Sequence, residues 1–253
     1  MADDPDTKPK SRVLYRWCVT LGVIGCMIGV CSGAWLALRE IVRPLAAQHT
    51  SKNRLRQLQI AVANYSESND LMPGPFLDET AERGAVIPER LTDRLSWRIT
   101  LMPYLESGSV YSQVKKSEAW DGTTNRPLLG GYHLVYSDHE GGPVSHTPYR
   151  VFHDNGALWD SDPKRRIPLN KIPDGGSNTI LIAESTVQVP WAQFNEHLFD
   201  PNGPLPELGR ASRDTFFVAM ADGSVRMVKK SVSPNILRAA VTREGGEQLP
   251  PDW

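Results

Sequence analysis

Four oxygen-bearing side chains, Asp154, Asn155, Asp160 and Asp162, fall within nine residues. Carboxylate and amide oxygens are the ligands calcium takes, so this stretch is the first candidate for metal chemistry and calcium the one cofactor suggested. Its spacing matches no EF-hand, and Lys164-Arg165-Arg166 follows to neutralise the field. A second constellation is Asp174, Ser177 and Asn178 around a glycine pair, a loop able to read a small ligand with Trp159 supplying an aromatic wall. The competing reading is turn chemistry, in which Asp and Asn satisfy nearby amides and glycine supplies positive φ. His133, His139, His146 and His153 recur within twenty-one residues. Zinc favours imidazole, but with long spacings and no HExxH pair they read as surface side chains. No G-x-S-x-G elbow frames a serine nucleophile. Cys18, Cys26 and Cys31 all lie in one apolar run, which leaves the rest of the chain without a thiol nucleophile, disulfide or cysteine metal site. These patterns argue against an enzyme.

Positioning such residues requires elements, and the first is an amphipathic helix. Between residues 50 and 66, Leu55, Leu58, Val62 and Tyr65 recur at steps of 3, 4 and 3, leaving Lys52, Arg56 and Gln57 on the wet side. Pro73, Gly74, Pro75, Gly84 and Pro88 make residues 69–93 loop. A short helix is expected over Trp97–Leu105, ended or kinked by Pro103. Tyr132–Tyr136 reads as a short strand in an otherwise irregular stretch. Tyr149–His153 and Ala157–Trp159 flank Asp154-Asn155-Gly156 as a hairpin, and Asn178–Ala183 is short and apolar enough for a buried strand. Asp222-Gly223 between Phe216–Ala221 and Ser224–Lys230 is the strongest hairpin signal, read as a type I′ turn. Ser233-Pro234 opens a last helix to about Thr242, stopped by Gly245-Gly246. Loops at 69–93, 123–148 and 186–214 would vary the contacts. Trp97, Trp120 and Trp159 read as core anchors rather than a carbohydrate platform.

Trp17 to Leu38 is twenty-two residues without a charge, between Arg16 and Arg39. As a helix it reaches roughly 33 Å, enough to cross a bilayer's hydrocarbon core. It exceeds a signal peptide's apolar run and carries Trp17 and Trp35 near its ends, so it reads as an uncleaved anchor in contact with membrane lipid. Gly25, Gly29 and Gly33 make two overlapping GxxxG motifs that would allow helix pairing. Lys/Arg counts on the two sides do not set orientation, but long C-terminal domains translocate regardless of charge. The formal charge is −1 overall, and −2 once residues 1–40 are set aside. Such a near-neutral domain lacks the basic field that nucleic-acid binding requires.

PDGGSNTILIAES, followed some forty residues on by MADGSVRMVKKSVSPNILRAAVTREGGE, resembles the DUF1559 domain. SKNRLRQLQIAVANYSES, LSWRITLMPYLE and AWDGTTNRPL extend the resemblance in the family's order, over about residues 48–247. The family is planctomycete-type, often follows a prepilin-type N-terminus and has also been labelled solute-binding. The resemblance implies an α+β fold of pseudopilin-like shape, a long N-terminal transmembrane-plus-amphipathic helix packed on an antiparallel β-sheet and displayed outside the cytoplasmic membrane. Three departures stand out. No glycine here has the glutamate partner of a prepilin cleavage site, Ser212 replaces the family's histidine before the final Asp-Gly, and Tyr136-Ser137-Asp138 stands where a cysteine motif is common. The organisation expected is a disordered cytoplasmic tail at 1–12, a transmembrane helix at 13–41, an ectodomain at 48–247 and a tail at 248–253. Its expected role is a non-catalytic structural or interaction protein of the cell envelope, meeting other envelope proteins or like subunits. The rival is a membrane-tethered solute- or ligand-binding module.

Overall fold

The computed structural model of the chain describes residues 46–78, 88–131, 133, 135–137, 142–250 and 253. The expected span at 17–38 lies outside them, and among the described residues no helix is long and apolar enough to cross a membrane. Helix α1 occupies residues 46–69, and the stripe expected to be covered, Leu55, Leu58, Val62 and Tyr65, is 4% exposed or less. Among the described residues six strands follow: β1 (His146–Arg150), β2 (Phe152–His153), β3 (Ile180–Pro190), β4 (His197–Leu198), β5 (Thr215–Met220) and β6 (Val225–Lys229). Strands β1, β3, β5 and β6 form, in that order, one antiparallel sheet, while β2 and β4 make a separate parallel pair. The mixed helix and antiparallel sheet agree with the α+β expectation.

Strand β5 explains why the sheet is covered on both faces. Successive strand side chains point to opposite sides. Phe217 and Ala219 accordingly join the cluster that holds the α1 stripe. Phe216, Val218 and Met220 join a second cluster with Leu237, Ala240 and Val241 of the last helix, α5 (Pro234–Val241). The register slips between Ile180 and Ile182 of β3, a bulge that sends Leu181 and Ile182 to the same cluster.

Several local expectations change. Met220 N donates to Ser224 O and Gly223 N to Met220 O at the β5–β6 turn, where Gly223 has φ +90° and Asp222 is not left-handed. The turn is therefore not type I′; its one left-handed glycine fits a type I turn closed by a bulge. Asp154, Asn155 and Gly156 are all left-handed, and Trp159 meets His153 through a parallel bridge while Ala157 bridges Thr242. No antiparallel hairpin forms there, because Asp154 N donates to Trp159 O and closes a tight loop. Val135 and Tyr136 lie in a turn rather than a strand, held by Ser137 N on His133 O. Within the expected loop at 186–214, β3 continues to Pro190 and β4 adds a pair. Helix α5 ends at Val241, short of the glycines, whose amides go to Asp174 instead.

Three short helices lie among the described residues between α1 and the sheet, and one of them was expected. Helix α2 (Trp97–Thr100) starts at Ser96, whose hydroxyl accepts from Arg98 N, and gives way to a 3-10 turn at Met102–Tyr104 that accommodates Pro103. Helices α3 (Gly108–Tyr111) and α4 (Asn125–Leu129) occupy stretches without helical periodicity. Asn125, fully buried, accounts for the second. Its Oδ1 accepts from Lys115 N, and its Nδ2 donates to Lys115 O, Glu118 O and Ala119 O.

Candidate functional site

The segment carrying Asp154, Asn155, Asp160 and Asp162 is tied to protein at every one of those side chains. Asp154 accepts from Ser161 N (2.7 Å) and Ser161 Oγ (2.9 Å), and His153 Nδ1 stands 2.9 Å from its Oδ2. Burial works against the Asp154 carboxylate, but these bonds outweigh it and hold its pKa below the ordinary value. Asn155 Nδ2 donates to Phe199 O. Asp160 lies between Arg165 and Arg243 and accepts from Asp162 N, while Asp162 caps a 3-10 turn through Lys164 N. Among the described residues no group of three or more His, Cys, Asp or Glu is spaced to hold a metal ion.

The second constellation is divided. The Asp174 carboxylate accepts from Gly245 N (2.7 Å) and Gly246 N (3.0 Å), clamping the chain after α5. Asn178 Nδ2 donates to Asp174 O, and Ser177 O accepts from Arg226. Trp159 is not brought to this loop. Its ring is fully buried in the core beside Trp97, with Nε1 donating to Leu181 O.

The histidines differ from their expectation. His153 is 7% exposed, and His133 is wedged between Tyr136 and Trp191, with ring centroids 4.4 and 5.0 Å away. Burial pushes His133 down to about 4. His139 lies outside the described residues. His197, which no spacing singled out, packs against Phe152 and stands 3.2 Å from Ser185 Oγ. Burial, with Arg150, His153 and Arg98 nearby, pushes it down to about 3.

Two buried carboxylates also escaped notice. Glu184, fully buried in β3, accepts from Arg210 Nε (3.2 Å), Arg213 Nη2 (2.6 Å) and Phe217 N (3.2 Å). Glu196 accepts from Arg98 Nη1 (2.8 Å) and Val151 N (2.8 Å), and Arg98 also reaches the carbonyls of Trp191 and Tyr149. Their signal was a charge inside an apolar run, Arg98 in WRIT and Glu184 in ILIAES. Buried charges must be paired, so each such residue forecast a partner without naming it.

An open groove runs beside α1. One part, about 580 Å³, is lined by Ser66, Glu67 and Asp70 and by the loop Leu169–Lys171. A second, about 300 Å³, is lined by Arg56, Ile60, Asp222 and Gly223, and Ala63, Leu169 and Ala221 line both. Its far wall is fixed, since Gln59 Nε2 donates to Met220 O (2.8 Å) and Ser224 O (2.7 Å) across the hairpin turn. Small side chains floor the groove, and charges stand at its rim. It can seat an elongated surface.

No curated protein and no solved structure matches the chain. A match is found to the model of the family described as a protein of unknown function, DUF1559, over residues 42–134. It takes in the α1 sequence, LSWRITLMPYLE and AWDGTTNRPL, and ends before the two C-terminal motifs. Over residues 42–134 this chain is accordingly similar to the DUF1559 family.

Proposed function

We propose that the chain is a non-catalytic, membrane-anchored structural or interaction protein of the cell envelope, with its C-terminal domain outside the cytoplasm and a pseudopilin-like plan. The observation that carries the reading is the uncharged stretch Trp17–Leu38 between Arg16 and Arg39. Support comes from the interior, where the charges at Glu184, Glu196, Asp154 and Asp160 serve backbone amides and arginines. Such bonds hold loops and strands in place and leave those carboxylates little freedom for substrate. The groove beside α1 offers a surface for another protein.

The test uses full-length protein in sealed native membranes. Carbonate should leave it in the membrane pellet, protease added outside should digest the folded domain, and intact mass should include residues 1–40. Release by carbonate or high salt defeats the anchor, and protection from outside protease defeats the placement.

A further inference from the structure

The wet flank of α1 carries a second regular stripe. Asn53, Arg56, Ile60, Ala63 and Glu67 succeed one another at steps of 3, 4, 3 and 4, the spacing that keeps one helical face toward a partner, and Asp70 follows in the turn past the helix end with φ +52°. Ala63 is half-buried and the other five are exposed, Ile60 to 60%. Core packing does not account for an exposed isoleucine at the centre of this stripe. Among the described residues, neither Arg56 nor Glu67 takes part in an ion pair or side-chain hydrogen bond.

The stripe complements itself when run backwards. Laid antiparallel on a copy centred between Ile60 and Ala63, it sets Arg56 against the partner's Glu67 and Ile60 against the partner's Ala63. Two-fold symmetry repeats both pairs. Each layer joins opposite charges or a large side chain to a small one. Parallel alignment in register would oppose arginine to arginine and glutamate to glutamate, which disfavours it. The groove lies alongside, so Ile60 of one copy has Ala63, Leu169 and Ala221 of the other to pack on.

We infer that this face of α1 docks a second copy of the chain, the two α1 helices antiparallel and held by reciprocal Arg56–Glu67 pairs around Ile60 and Ala63. The inference rests on reading the chain as an interaction protein and names that partner. The contact is small, so association is weak in dilute solution.

The test uses full-length protein in detergent and in native membranes, with Cys18, Cys26 and Cys31 replaced by serine. Arg56→Cys mixed with Glu67→Cys should give an oxidised heterodimer. Arg56→Cys alone should not, because two copies of residue 56 stand about 16 Å apart along an antiparallel pair. Arg56→Glu or Glu67→Arg should each weaken association about tenfold by creating two like-charge contacts, and the double variant should restore it. Crosslinking of Arg56→Cys with itself, failure of the double reversal to restore association, or a monomer at every concentration overturns the pairing. A monomer still cut by protease from outside leaves the envelope placement standing, whereas a crosslinked pair protected from protease removes the placement and keeps the interface.

Discussion

Glu184 shows what a single residue does in this fold. Its carboxylate is fully buried and answers two arginines and one strand amide. Removing one member of a buried pair leaves an uncompensated charge, so Glu184→Ala is expected to cost about 3–5 kcal/mol, read as a lowered urea midpoint. A loss under about 1 kcal/mol would mean that Arg210 and Arg213 are solvated without it. Asn125 works without charge. Four hydrogen bonds to the 115–119 turn end on its amide, and Asn125→Ala would strand buried backbone groups at about 1–3 kcal/mol. Neither role was legible beforehand. Glu184 closes an apolar run, but nothing in the chain names Arg210 and Arg213 as its partners, and Asn125 sits in a stretch that reads as plain loop. Asp174 carries two readings from the sequence, a ligand loop and turn chemistry. Its carboxylate does meet backbone amides, as turn chemistry forecasts, though the amides belong to Gly245 and Gly246, some seventy residues away.

At the scale of elements, what could be read in advance was whatever repeats. Helix α1 repeats a 3.6-residue stripe over several turns, and the apolar run of β5 is marked off from β6 by Asp222-Gly223, so both signals outlast local noise. Helices α3 and α4 hold four and five residues, too few to show a period, and α4 depends on tertiary bonds to Asn125. Strand β3 outran its apolar core because Glu184, Ser185 and Thr186 look polar while pairing with buried or bridging groups. The β5–β6 turn was located correctly but assigned the wrong type, a difference that mutation can measure. Only Gly223 is left-handed, so Gly223→Ala should cost about 1–2 kcal/mol. Asp222→Ala removes one exposed bond to Ser224 N and should cost no more than about 0.5 kcal/mol. Equal losses in thermal melts of the two variants would restore the type I′ assignment.

For the whole molecule, burial of neutral histidines couples stability to pH. His197 is held down to about 3, by burial first and then by Arg150, His153 and Arg98, and His133 down to about 4 by burial. In the unfolded chain both titrate near the ordinary value of 6.5. Between those limits the unfolded state binds more protons, so stability is full above about pH 6.5 and drains away as pH falls toward 4 and then 3. Each histidine adds at most about 1.4 kcal/mol per pH unit within its window. His133 offers the cleaner test. Its ring packs against Tyr136 and Trp191 in tilted contacts, its Nε2 stands 3.3 Å from Ser107 Oγ and its buried Nδ1 has no hydrogen-bond partner, so His133→Phe keeps the ring packing, gives up the Ser107 contact and removes the titration. Urea midpoints measured from pH 7.5 down to 4 should fall less steeply in this variant, the two proteins differing most at the acid end. Parallel curves would show that His133 protonates as readily folded as unfolded, and would leave the acid sensitivity to His197 at the β2–β4 pair. Protonation of His197 would load positive charge beside Arg98 and Arg150, where Glu196 is the neighbouring carboxylate.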